Sequence, residues 1–143
     1  MKDQKEIIIL IAEDDDGHAD LIKEALENSG VCNNIIRFSN GEETMQFLTG
    51  KEGNGASDVK NTYLLLLDIN MPKMDGIEVL KRIKTDVKLK GIPVLMLTTT
   101  DDPREIEACY KLGCNAYIVK PVEYHKFQET LERLGFFIQI IKL

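Results

Sequence analysis

The sequence predicts an α/β domain: a doubly wound, five-stranded parallel sheet in the order 2-1-3-4-5, with a helix after each strand. Three observations predict it. The runs Ile7 to Ala12, Tyr63 to Leu67 and Val94 to Leu97 are continuously apolar rather than alternating, as strands covered on both faces must be. Between such runs, apolar residues recur at helical spacing. Strand and helix patterns alternate along the chain, which right-handed crossovers convert into a parallel sheet.

The first strand, Ile7 to Ala12, leads into a helix carrying Ala19, Leu21, Ile22, Ala25 and Leu26, with Asp16 as its cap and Ser29-Gly30 as its end. Asn34 to Phe38 is a short strand, and Arg37 within it marks a sheet edge. Gly41 to Leu48 is a short helix with Met45, Phe47 and Leu48 as its apolar residues. Lys51 to Asn61, rich in Gly, Asn and Ser, reads as a surface loop. The third strand ends at Asp68, and Met74-Asp75-Gly76 opens a helix with Ile77, Val79, Leu80 and Ile83. Pro93 at the head of the fourth strand is tolerated there. Asp102-Pro103 is a cap followed by proline at the first helical position, so the fourth helix runs from Pro103 to Leu112 and stops at Gly113. Asn115 to Val119 is the last strand. The last helix starts near Val122 with Phe127, Leu131, Leu134 and Ile138 on one face, and Gly135 either weakens it or ends it.

With 143 residues and 43% hydrophobic content, residues 1–143 form a single domain with a full core. No apolar run approaches the roughly 20 residues that span a bilayer, and the polar start lacks a signal-peptide pattern. A cytoplasmic protein without membrane association is the expectation. The net charge of −6 without a basic cluster excludes a nucleic-acid footprint. Cys32, Cys109 and Cys114 do not pair and lack partners for a metal site, so they read as simple thiols of a reducing compartment. His18 and His125 are isolated in helical patterns and read as surface residues.

Each apolar strand is followed by a polar residue: Glu13-Asp14, Asp68, Thr98 and Lys120. In a doubly wound sheet these exits lie together at the switch point between the first and third strands. Converging carboxylates repel and are relieved by a cation. Oxygen donors alone suit a hard divalent ion such as Mg²⁺, and the lack of nearby His or Cys argues against zinc or copper. The most exposed carboxylate can then attack phosphorus, with Lys120 and the Thr98 hydroxyl meeting the phosphoryl oxygens.

Four segments carry a resemblance across essentially the whole chain. They are Ile9-Leu10-Ile11-Ala12-Glu13-Asp14-Asp15, Leu67-Asp68-Ile69-Asn70-Met71-Pro72-Lys73-Met74-Asp75-Gly76, Pro93-Val94-Leu95-Met96-Leu97-Thr98-Thr99 and Ala116-Tyr117-Ile118-Val119-Lys120-Pro121. Together they resemble the receiver domain of two-component response regulators, a CheY-like, flavodoxin-like (βα)5 fold. The resemblance implies that Asp68 accepts phosphate from a sensor histidine kinase or phosphotransfer protein. It implies Mg²⁺ held by Glu13, Asp14, Asp68 and the Asn70 backbone carbonyl, with Thr98 and Lys120 on the phosphoryl group. Thr98 and Tyr117 match the family's switch pair, although Tyr117 also reads as plain sheet packing. Thr100 and the Asn70 side chain match positions that tune dephosphorylation, and the Lys120-Pro121 bond is often cis in the family. The loop before the third strand and the ending Phe136 to Leu143 resemble the stand-alone type that includes the cyanobacterial phytochrome response regulators, without an output domain.

Such a chain is a signalling protein that assists its own phosphorylation and dephosphorylation rather than an enzyme with external substrates. An aspartate-based phosphatase wants a second acid two residues on, and position 70 is Asn. A phosphate-cradling cofactor site would not be acidic, as Glu13 to Asp16 is. A non-phosphorylated adaptor of the same fold, or a phosphate sink, is the nearest alternative. Phe136, Phe137, Ile138, Ile140, Ile141 and Leu143 exceed what one helix face buries, so a homodimer or partner-docking surface formed by the last helix with the fourth helix and last strand is expected. Asp15 with Asp16, and Asp75-Gly76, read as cap and turn chemistry.

Overall fold

The computed structural model describes residues 6–31, 34–50 and 61–140. In chain order these form β1 (Glu6–Ala12), α1 (Asp16–Asn28), β2 (Ile35–Phe38), α2 (Gly41–Thr49), β3 (Asn61–Leu67), α3 (Gly76–Thr85), β4 (Val94–Thr98), α4 (Pro103–Leu112), β5 (Ala116–Val119) and α5 (Tyr124–Ile140). The strands pair in parallel, as the apolar runs predict, and their order is β2-β1-β3-β4-β5, that of the expected flavodoxin-like fold. Cys32, most of the Gly-rich loop, Ile141 and Leu143 lie outside the described residues.

Alternation along each strand divides the core into two layers. Leu10, Ala12, Leu65, Leu67, Val94 and Met96 face one side, with Met45 and Leu48 of α2, Val79, Leu80 and Ile83 of α3, and Cys109 of α4. Ile9, Ile11, Leu64, Leu66, Leu95 and Leu97 face the other, with Ile22 and Leu26 of α1 and Phe127, Leu131, Leu134 and Ile138 of α5. Each fully buried aliphatic side chain contributes about 1.5–3 kcal/mol, so the central strands β1, β3 and β4 dominate the stability. The edges are less buried: β2 is half-exposed around Arg37, and β5 is half-exposed along its length. Cys109 and Cys114 are buried free thiols, and burial raises both pKa values, that of Cys109 to about 11.

Two local expectations change. Asp15, not Asp16, caps α1: its backbone is extended and its Oδ1 accepts from the His18 amide at 2.9 Å. Asp16 is already helical, and its carboxylate pairs with Arg37 at 2.8 Å. At the other end of the chain, α5 begins at Tyr124 and runs through Gly135. A Cβ on Gly135 would lie 2.9 Å from the Ser29 Cβ and closer still to its hydroxyl, so the glycine is where α5 meets the end of α1. Asn40, Asp75 and Asp102 cap α2, α3 and α4 through side-chain oxygens, and each fixes where the chain turns away from a strand exit.

Candidate phosphoryl-transfer site

The strand ends carry their polar residues to one edge of the sheet. Glu13 is 2% exposed, Asp68 7%, Thr98 0% and Lys120 4%, while Asp14 faces solvent. Burial follows from the sheet, because each residue continues a strand whose neighbours are paired. The Asp68 amide donates to the Ala12 carbonyl at 3.0 Å, and the Lys120 amide to the Thr98 carbonyl at 2.7 Å.

Carboxylate oxygens of Glu13, Asp14 and Asp68 all lie within 4.8 Å of one another. The Lys120 Nζ donates to Glu13 Oε1 in a buried ion pair and approaches Asp68 Oδ2 at 3.4 Å. Asp68 Oδ1 accepts from the Ile69 amide at 2.7 Å, which fixes its rotamer. Burial, reinforced by the Asp68 charge and only partly opposed by Lys120, pushes the Glu13 carboxyl up to about 7. One ammonium among three carboxylates leaves the cluster short of positive charge. A hard, oxygen-seeking divalent cation fits this donor set.

Arg37 was not foreseen as part of the site. Its Nε and Nη2 donate to the Glu13 carbonyl at 3.0 and 2.7 Å, and its Nη1 meets Asp16, so the edge strand clamps the acidic loop. His18 is half-buried instead of lying on the surface. Its Nδ1 stands 3.2 Å from Lys120 Nζ because α1 turns its first residues over the exit of β5. An imidazole therefore lies beside the site, contrary to the sequence expectation, but against the lysine and outside the carboxylate cluster. The exposed position of His125 is as expected.

The loop after Asp68 is held tightly. Lys73 and Met74 have φ of 56° and 120°, a left-handed conformation that costs non-glycine residues energy. A Cβ on Gly76 would sit 2.9 Å from the Ile69 Cα and closer to the Asp68 carbonyl, so α3 packs directly under the acid.

Apart from Lys120 at the β5 exit, the hydrogen-bonded groups on the β4 and β5 side are neutral. The Thr100 amide donates to Thr98 Oγ1 at 3.5 Å, the Asn70 side-chain amide to Thr100 Oγ1 at 3.3 Å, and the Tyr117 hydroxyl to the Thr100 carbonyl at 2.7 Å. Tyr117 is half-buried against the core, which pushes its phenol up to about 12, and its amide donates to the Tyr110 hydroxyl at 3.0 Å. Among the described residues no peptide bond is cis, so Lys120-Pro121 is trans, the form intrinsically preferred even before proline.

Arg37 carried a readable signal, a charged residue in an otherwise apolar edge strand. His18 carried none, because its contact joins residues 102 positions apart.

Known proteins share this fold. The response regulator receiver domain family matches residues 9–132. A receiver domain from Rhodospirillum rubrum superposes with a TM-score of 0.90 at 42% identity, covering 95% of this chain and 96% of that one. Response regulator Rcp1 of Synechocystis sp. is 38% identical over 113 residues, 79% of this chain and 76% of that protein. Its Mn(2+)-bound structure gives a TM-score of 0.83 at 31% identity over 95% of this chain and 97% of that one. The phosphorylated cyanobacterial phytochrome response regulator RcpA gives 0.86 at 33% identity, over 96% of this chain and 97% of that one. Among the described residues no helix is long and apolar enough to cross a membrane. The chain belongs to the response regulator receiver domain family, the CheY-like signalling proteins of two-component systems.

Proposed function

We propose that Asp68 is the phosphoacceptor of this receiver domain and that phosphate on it switches a protein-binding surface. The observation that carries this reading is a buried aspartate whose Oδ2 faces Lys120 beside two further carboxylates. The substrate is a phosphohistidine on a sensor kinase or phosphotransfer protein. An Asp68 oxygen forms the bond to phosphorus as the bond to the histidine nitrogen breaks. Mg²⁺, when bound by Glu13, Asp14, Asp68 and the Asn70 carbonyl, neutralises charge on the phosphoryl group. Lys120 and Thr98 contact the phosphoryl oxygens, and Thr100 with the Asn70 side chain governs access of the water that returns Asp68 to the free acid.

Output runs through Thr98, Thr100 and Tyr117 to the face made by α4, β5 and α5, where Tyr110, Val119, Phe136 and Phe137 are exposed. A second copy is the partner we assign to this face, and a monomer mass independent of concentration and phosphorylation would remove it.

Incubation with Mg²⁺ and acetyl phosphate, followed by intact mass, tests the phosphoacceptor. A phosphate-sized gain that disappears in Asp68→Ala and with a chelator supports it. No gain, even from kinase donors, would leave a receiver-like adaptor.

A further inference from the structure

Lys120 has three N–H donors, and the carboxylates of Glu13 and Asp68 occupy two. The remaining neighbour is His18 Nδ1 at 3.2 Å. An ammonium cannot accept, so Nδ1 must present its lone pair and the ring proton resides on Nε2. The ring is placed without help from Glu13, Asp14 or Asp68. The His18 amide is anchored to the Asp15 cap at 2.9 Å, and the imidazole packs edge-on against Phe127 of α5, with ring centroids 5.8 Å apart and planes at 78°. Phe127 is itself buried. Two helices thus hold a neutral acceptor against the lysine.

The consequence concerns where the ammonium rests. Held only by Glu13 and Asp68, Lys120 would be drawn wholly into the acidic cluster and would leave one buried N–H without a partner. A third carboxylate in place of His18 would trap it further. A neutral imidazole satisfies the third donor without adding charge, and it stays in place when Lys120 exchanges a carboxylate for a phosphoryl oxygen. We propose that His18 is a positioning residue for Lys120, holding its ammonium in reach of the phosphoryl group through Nδ1. This rests on the reading of Asp68 as phosphoacceptor.

Two substitutions separate the acceptor from the packing. His18→Phe keeps an aromatic ring against Phe127 and removes the acceptor; His18→Asn loses the ring and offers Oδ1 near the position of Nδ1. With saturating Mg²⁺, the maximal rate of Asp68 phosphorylation by acetyl phosphate falls about tenfold in His18→Phe, the effect of one charge-assisted hydrogen bond, and His18→Asn restores most of it. Thermal midpoints of both variants are recorded alongside. A merely structural ring would give the opposite order, with Asn the more damaged, and that order or equal rates would overturn the proposal.

A second readout does not depend on phosphorylation. The ¹⁵N shift of His18 Nδ1 reports an unprotonated acceptor in the wild type and moves in Lys120→Met. A protonated Nδ1, or a shift indifferent to Lys120→Met, would overturn the contact itself. If the ring shift responds while Asp68 takes no phosphate, the contact stands and the phosphoacceptor reading is the one that fails.

Discussion

At the ends of β1 and β3, Glu13 and Asp68 are held mainly by charged groups: Lys120 on both carboxylates and Arg37 on the Glu13 carbonyl and Asp16, with the Ile69 amide adding a neutral bond to Asp68. Beside them, Thr98 at the end of β4, Thr100, Tyr117 of β5 and Tyr110 of α4 are joined by neutral hydroxyl and amide bonds. The difference separates two tasks. Rearranging buried charges is expensive, so the acidic half keeps one geometry and receives a ligand. Neutral bonds of about 0.5–1.5 kcal/mol net can be exchanged for others, so the hydroxyl half can have two arrangements of similar energy. The Tyr117 hydroxyl lies on the Thr100 carbonyl in this structure, a neutral bond of the exchangeable kind.

The largest expected effect is on the acidic half. Lys120→Met leaves the carboxylates without their ammonium and slows Asp68 phosphorylation by about 10²-fold, the scale of losing one preorganised charge contact. A loss no larger than that of a hydroxyl-half variant would erase the distinction.

Arg37→Met removes charged hydrogen bonds to the Glu13 carbonyl and Asp16, and costs about 1.5–3 kcal/mol of stability by denaturant unfolding. A neutral result would mean that the acidic loop is rigid without its clamp.

The pH dependence also belongs to the acidic half. The Glu13 carboxyl is raised from 4.5 to about 7, mainly by burial, so the folded state holds this proton more tightly than the unfolded chain. The stability it contributes is complete below pH 4.5 and is lost as pH rises through about 7. Glu13 therefore lowers the melting temperature of the metal-free protein at pH 8 relative to pH 5, and Glu13→Gln flattens that part of the slope. Divalent-ion affinity runs the other way and weakens as pH falls below about 7, because the ion must displace the Glu13 proton. Titration of Mg²⁺ by calorimetry across this range checks the sign.

The smallest effect is expected of Tyr117→Phe. It loses one hydroxyl bond, about 1 kcal/mol, leaves the phosphorylation rate nearly unchanged, and weakens the response of partner binding to phosphate. Equal coupling in both proteins would take Tyr117 out of the switch.

Much of this was legible in the chain because its causes are local. Continuous apolar strands announce a covered parallel sheet, and a polar residue after each strand announces an edge where Glu13, Asp14, Asp68, Thr98 and Lys120 gather. Caps at Asp75 and Asp102 follow from residues that neighbour in sequence. Asp15 does the capping that the acidic pair suggests, and Asp16 does not: either carboxylate suits a cap, and Asp16 is diverted to the distant Arg37. Gly135 was ambiguous for the same reason: propensity counts against it, while the Ser29 hydroxyl across α1 requires it. The His18 contact with Lys120 depends on how α1 lies over the sheet, which no spacing along the chain encodes.

Fluorotyrosine incorporation and ¹⁹F spectra before and after acetyl phosphate with Mg²⁺ would follow both halves at once, the Tyr117 signal being assigned by Tyr117→Phe. A shift of Tyr117 that grows with the phosphorylated fraction and vanishes in Asp68→Ala, while the core residue Tyr63 stays unchanged, is the expected result. Full phosphorylation of Asp68 with a motionless Tyr117 signal would contradict the division between a receiving half and a responding half.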